Sequence, residues 1–172
     1  MTASSREMLP TKAITTGTTE QRQYLTFLLG AEMFGIGILM IKEIIGYGNI
    51  TLVPMVPPFI RGVINLRGVV VPVFDLAIRF GRTAQKTTKH TCIVIIDIVV
   101  GDHTNRIGII VDAVSEVIEI ADADIRPAPE FGANLRTDFM RGMGKINDKF
   151  VILLDMDRVL TLDEVSVAAI KQ

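Results

Sequence analysis

Two stretches of the chain can be laid over each other without a gap: FIRGVINLRGVVVPVFDL from Phe59 and FMRGMGKINDKFVILLDM from Phe139, an offset of 80 (139 − 59). Phe59/Phe139, Arg61/Arg141, Gly62/Gly142 and Asp75/Asp155 are identical pairs, and the apolar block 69–74 falls on 149–154. Upstream, GIGILMIKEII from Gly35 falls on GIIVDAVSEVI from Gly108 at an offset of 73 (108 − 35), matching Gly35/Gly108, Ile36/Ile109, Glu43/Glu116 and Ile45/Ile118. The longer loop RPAPEFGANLRTDF absorbs the difference between the offsets. A period of this size is too long for a solenoid repeat. It implies two similar units of several short strands, each too small to hold much core and therefore packed against the other.

Composition supports strands. Apolar residues make up 49% of the 172 residues and charged residues 22%, with a mean hydropathy of +0.42 and no Trp. Val, Ile and Leu dominate, and β-branched side chains favour pleated surfaces. The longest apolar runs, GIGILMIKEIIG and CIVIIDIVVG, fall far short of a membrane span and carry Lys42, Glu43 and Asp97. Residues 1–22, rich in Thr and Ser and without a hydrophobic signal region, read as a flexible tail. The net charge of −1 gives no basic footprint for nucleic acid.

Turn signals punctuate the runs. NLRGVV reads as a tight hairpin in which Gly68 takes positive φ. Pro72, inside VVVPVFDL, fits a strand only where its missing N–H faces out of the ladder. Asp75 is placed to cap a short helical turn, LAIRF, that Gly81 ends, and Asp155 repeats the device. Thr161 with Glu164 forms a capping box that predicts a short C-terminal helix over 161–172. The expectation is an all-β fold of two small closed barrels over 23–160, with a boundary near 83–90 and strand exchange between the units left open.

Parts for catalysis are few. His90 and His103 lie beside polar turns without Cys or His at metal-ligand spacing, and no phosphate-cradling glycine loop is present. The lone Cys92 cannot form an internal disulfide, which suits a reducing compartment, and reads as an inert buried thiol. Asp112, Glu116, Glu119, Asp122 and Asp124 alternate with Val and Ile as a solvated strand face would, without the ligand density of a calcium loop. Neither cofactor nor metal is expected. Two features remain: Ile38 and Ile41 near Glu43, and Arg67 held up by its turn. They read either as core isoleucines beside solvent-facing charges or as a docking patch with an apolar centre and charged margin.

GVINLRGVVVPVFDL, FGIGILMIKEIIGYGNITLVP and IGIIVDAVSEVIEI with IRPAPEF resemble, in the same order, the CheW family of chemotaxis coupling proteins over residues 23–160. The resemblance implies two SH3-like five-stranded β-barrels and a non-enzymatic, cytoplasmic adaptor recruited to receptor arrays at the inner face of the membrane. One surface would bind chemoreceptor tips and another the regulatory domain of the histidine kinase CheA. By position, Ile38, Ile41 and Glu43 would belong to the receptor-facing groove, and Gly62 and Arg67 to partner binding. Val114 and Val117 would belong to a coupling region of the second barrel. A coupling protein of a related, non-flagellar array is the alternative, and a small-barrel nucleic-acid binder a distant one. Gly37 departs from the acidic residue or proline of many relatives, and VVGDHTNRIG is a few residues longer than in some.

Overall fold

The computed structural model describes residues 21–83, 86–100, 102–127 and 139–159. The strands are β1 (Gln21–Leu29), β2 (Glu32–Gly37), β3 (Ile41–Gly46), β4 (Ile60–Leu66), β5 (Val69–Asp75), β6 (Cys92–Val100), β7 (His103–Val111), β8 (Ala113–Ala121), β9 (Met140–Ile146) and β10 (Lys149–Leu154). Two four-residue helices, α1 (Leu76–Arg79) and α2 (Met156–Val159), follow β5 and β10. The strands form two five-stranded sheets, ordered β3-β6-β7-β5-β4 and β8-β1-β2-β10-β9.

The repeat in the sequence is a repeat in space. Each sheet has an antiparallel hairpin, β6–β7 or β1–β2, that meets an antiparallel strand on one side and a parallel one on the other. The parallel contact sets Val73 against Gly108 in one sheet and Leu153 against Gly35 in the other, the same pair under offsets of 80 and 73. The bulge between Ile60 and Gly62 recurs between Met140 and Gly142. So does the backbone bond after the bulge: Asp75 N–H donates to Phe59 C=O at 2.7 Å, and Asp155 N–H to Phe139 C=O at 3.0 Å.

The repeats are β1–β5 and β6–β10 in sequence, yet the leading hairpin of each joins the trailing strands of the other. The chain changes sheets at the 3₁₀ turn Ile38–Met40 and at Asp112, which stands alone between β7 and β8. The expected boundary near 83–90 falls between the two repeats in sequence, after α1 and before β6, while the sheets exchange strands, the possibility that the sequence left open. The tail assigned to 1–22 is too long by two residues, because Gln21 and Arg22 pair with Ala121 and Ile120. The helix expected over 161–172 lies outside the described residues.

Each sheet curls until its ends meet. Thr51, just past edge strand β3, exchanges two backbone hydrogen bonds with Val63 on the opposite edge strand β4, at 2.8 and 2.9 Å. Arg126 and Met143 do the same past β8, at 2.9 and 2.8 Å. Joining the ends removes most of the unpaired edge that a free sheet would expose. The interior of the first barrel is filled by Ile64, Val71, Val73, Ile93, Ile95 and Ile110, and that of the second by Tyr24, Ile118, Ile120, Val151 and Leu153. A third and larger core lies between them, built on Phe27, Phe34, Ile36, Phe74, Ile96 and Ile109. Successive residues of β6 alternate between these cores, Ile93 and Ile95 inside the barrel and Val94, Ile96 and Ile98 in the seam, which is why the strand is apolar on both faces.

Pro72 sits opposite Val63, and Val63 turns both of its backbone groups to Thr51, away from β5. The Pro72 position therefore faces out of the β4–β5 ladder, and pairing to β7 begins only at Val73. The missing N–H breaks no bond on either side. In the turn before it, Arg67 (φ 52°) as well as Gly68 (φ 88°) is left-handed, and Asn147 (φ 50°) with Asp148 (φ 66°) repeats this. Both hairpins thus take the two-residue turn with two positive φ angles, matched to strand twist.

Candidate docking site

The turn Ile38–Met40, where the chain crosses between sheets, exposes Leu39 almost completely at 93%, while Ile38 and Met40 are half-buried beside it. Such a side chain at a crossover gains nothing for the fold, since a large apolar group left in water forgoes ~1.5–3 kcal/mol of burial. It borders a groove of about 840 Å³ between the barrels. Ile38, Leu39 and Met40 line one part, Ile98 and exposed Val99 of β6 another, and Tyr24 of β1 a third. Arg22, Glu119, Arg141, Asp97 and Asp157 supply a charged margin.

Asp97 is held by its neighbours. Arg106, directly opposite on β7, donates to it from Nε at 2.9 Å and Nη2 at 3.2 Å, and Lys42 Nζ stands 3.8 Å away. The Arg106 hydrogen bond holds the Asp97 carboxyl below its ordinary pKa. Asp157 at the start of α2 is displaced the other way, raised by burial and then by the neighbouring Asp155 carboxylate.

Glu43 and Arg67 are brought together although 24 residues separate them. Arg67 sits on the β4–β5 turn and Glu43 on β3, so their pair spans the two ends of the sheet. Arg67 Nη2 donates to Glu43 Oε1 and Nη1 to Oε2 at 3.4 Å. The hydrogen bond from Arg67 lowers the Glu43 pKa and raises that of Arg67 in return. Arg67 is thus tied on the surface to a carboxylate, where its sequence context alone displayed a free cation.

The other sequence candidates divide. Ile41 and its repeat twin Val114 both pack against the seam core, so each is partly structural. Val117 is exposed at 45% and is the twin of Ile44, exposed at 42%, so one outward apolar position recurs on both barrels. Gly62 is buried; a Cβ there would lie 2.2 Å from Thr51 O, and its φ of 154° suits only glycine. Its glycine is required by the bridge that closes the barrel. Of the sequence candidates Ile38 lines the groove, and Ile41, Glu43, Gly62, Arg67, Val114 and Val117 do not, whereas Leu39, Val99, Tyr24 and Arg141, unremarked as site residues from sequence, do. The identity of Arg141 with Arg61 in the repeat was the one available signal.

Cys92 is half-buried, its thiol donating to His90 C=O at 3.2 Å. Among the described residues no group of three or more His, Cys, Asp or Glu is placed to hold a metal, and no helix is long and apolar enough to cross a membrane.

Residues 23–164 match the CheW-like domain family. The chain belongs to the CheW-like family. It is 37% identical to the chemotaxis protein CheW of Klebsiella aerogenes over 150 residues, covering 87% of this chain and 88% of that protein. It is 33% identical to the CheW of Rhizobium meliloti over 145 residues, covering 83% and 90%. The crystal structure of the scaffolding protein TtCheW from Thermoanaerobacter tengcongensis superposes with a TM-score of 0.74 at 33% identity, covering 84% of this chain and 91% of that one. CheW-like proteins are chemotaxis scaffolds, and the two packed five-stranded sheets found here match that structure.

Proposed function

We propose that this chain is a non-enzymatic cytoplasmic adaptor that couples chemoreceptors to the histidine kinase CheA. The supporting observation is the groove at the crossover between sheets, where Leu39 stands exposed beside Ile38 and Met40 at the rim of a cavity of about 840 Å³. An amphipathic helix laid into an apolar groove is a recurrent recognition mode that needs a few aliphatic anchors and a charged rim. In this reading the receptor tip occupies the groove. The Glu43–Arg67 face of the first barrel serves partner binding, and Val114 and Val117 act on the second barrel. Gly62 acts indirectly by keeping the Thr51–Val63 bridge closed. Recruitment to arrays at the inner face of the membrane follows from binding receptors there.

Titration of the protein against a soluble receptor signalling fragment and against the CheA regulatory domain, separately, tests this. Leu39→Asp should weaken receptor binding at least tenfold, as for a central interface contact, and leave the kinase titration unchanged. Equal receptor affinity for wild type and Leu39→Asp would remove the groove from the reading.

A further inference from the structure

Arg61 and Arg141 are the same residue in the two repeats, and they have different employment. Arg61 donates to Asp75 at 2.6 Å and to the Tyr47 hydroxyl at 2.9 Å, a complete arginine–tyrosine–carboxylate set. The Asp155 carboxylate, twin of Asp75, stands 3.6 Å from Arg158 instead. Arg141 is exposed, lines the groove, and has no hydrogen bond or ion pair among the described residues.

A second observation marks the same place. Tyr24, which lines the same groove, is 2% exposed, and its buried hydroxyl has no hydrogen-bond partner among the described residues. Buried polar atoms are nearly always satisfied, so an orphan of this kind calls for a missing partner. Burial raises the Tyr24 pKa, against the pull of the Arg141 cation. The groove thus holds an arginine fork and a phenol O–H, both donors. In the first repeat the matching arginine takes a carboxylate, Asp75, with the Tyr47 hydroxyl as a second acceptor.

We infer that Arg141 and the Tyr24 hydroxyl together grip a carboxylate on the segment that docks in the groove. This rests on the groove being the receptor-docking site and adds the chemistry of the occupant: an aspartate or glutamate flanked by aliphatic side chains that meet Leu39 and Val99. Asp97 is already neutralised by Arg106 and Lys42, so it does not repel that carboxylate as a free charge would. Glu119 and Asp157 leave room for a basic residue on the same segment, which would fix its direction in the groove.

The test uses the full-length protein and a receptor signalling fragment, with titrations of wild type, Arg141→Gln, Arg141→Glu, Tyr24→Phe and Leu39→Asp, and thermal unfolding of each. Arg141→Glu should weaken binding at least tenfold and Arg141→Gln by less, with melting temperatures unchanged. Tyr24→Phe removes an unsatisfied buried hydroxyl, so it should leave the free protein as stable or more stable while weakening docking about threefold. That opposition is one a purely structural tyrosine would not produce. Glutamine substitutions at the fragment's acidic positions should include one that abolishes the difference between wild type and Arg141→Gln. If Arg141→Glu and Tyr24→Phe bind like wild type while Leu39→Asp does not, the carboxylate grip is wrong and the groove reading stands. If Leu39→Asp also binds like wild type, the groove reading itself falls.

Discussion

Asp75 and Asp155 occupy the same position in the two repeats, and replacing each by alanine should give unequal losses. Asp75 caps α1, accepting from Ile78 N–H at 3.3 Å, and also accepts from Arg61 at 2.6 Å. Its side chain is 6% exposed. Loss of an N-cap costs about 1 kcal/mol. Removing one partner of a buried ion pair costs roughly 3–5 kcal/mol, but the Arg61 side chain is 26% exposed and can recover some hydration, so about 2 is the better figure. Asp75→Ala should therefore lose about 3 kcal/mol. Asp155, 33% exposed, accepts from Asp157 N–H at 3.2 Å and stands 3.6 Å from an exposed Arg158, so Asp155→Ala should lose about 1 kcal/mol, nearly all of it the cap. Urea titration reads the difference as a shift in midpoint at constant slope. Asp75→Asn, which keeps an oxygen for the cap and removes the charge, should fall between wild type and Asp75→Ala. Losses that agree within about 0.5 kcal/mol would refute the claim that burial of the Arg61 pair separates the twins.

Gly62→Ala should destabilise by about 3 kcal/mol or more because its Cβ meets Thr51 O, while Gly37→Ala, with nothing within 4 Å, should be nearly neutral; paired urea midpoints check both. Arg67→Asn places in the left-handed turn the residue its twin already has, so the midpoint should hold or rise while partner affinity falls. A large loss of stability would show the Glu43 pair to be structural. The Asp97 pKa is depressed in the folded state, so its contribution is present above the unfolded carboxylate value and lost as pH falls through the folded one. The stability gap between wild type and Arg106→Gln should accordingly close as pH drops below about 4, read by urea titration at several pH values. Asp157 is raised, so the sign reverses: Asp157→Asn should be the more stable protein at pH 7, and its advantage should vanish in acid.

The strands, the hairpin turns, the caps at Asp75 and Asp155 and the repeat were all legible, because each is written in local spacing. The exchange of hairpins was not. Gly35 and Gly108 mark equivalent strands whichever sheet those strands join, and the choice is made by the short crossovers at 38–40 and 112. The polar stretch at 83–90 separates the repeats in sequence, and composition says nothing about which sheet each repeat's strands join. Of the candidates singled out from sequence, Ile38 lines the groove and Glu43 does not. The Glu43–Arg67 pair needed a sheet curled end to end, and the solitary Tyr24 hydroxyl needed the burial that only the second barrel provides.

The exchange also sets an order of events during synthesis. The strands of the first sheet, β3 to β7, are complete once residue 111 has left the ribosome. The hairpin β1–β2 is made before any of them, yet its sheet partners β8, β9 and β10 arrive last, ending at residue 154. With Phe27, Phe34 and Ile36 pointing to one core and Tyr24 to another, the earliest strands to emerge wait longest for cover. A nascent chain stalled near residue 112 would hold a nearly finished barrel trailing a sticky hairpin, the species on which a holding chaperone would act.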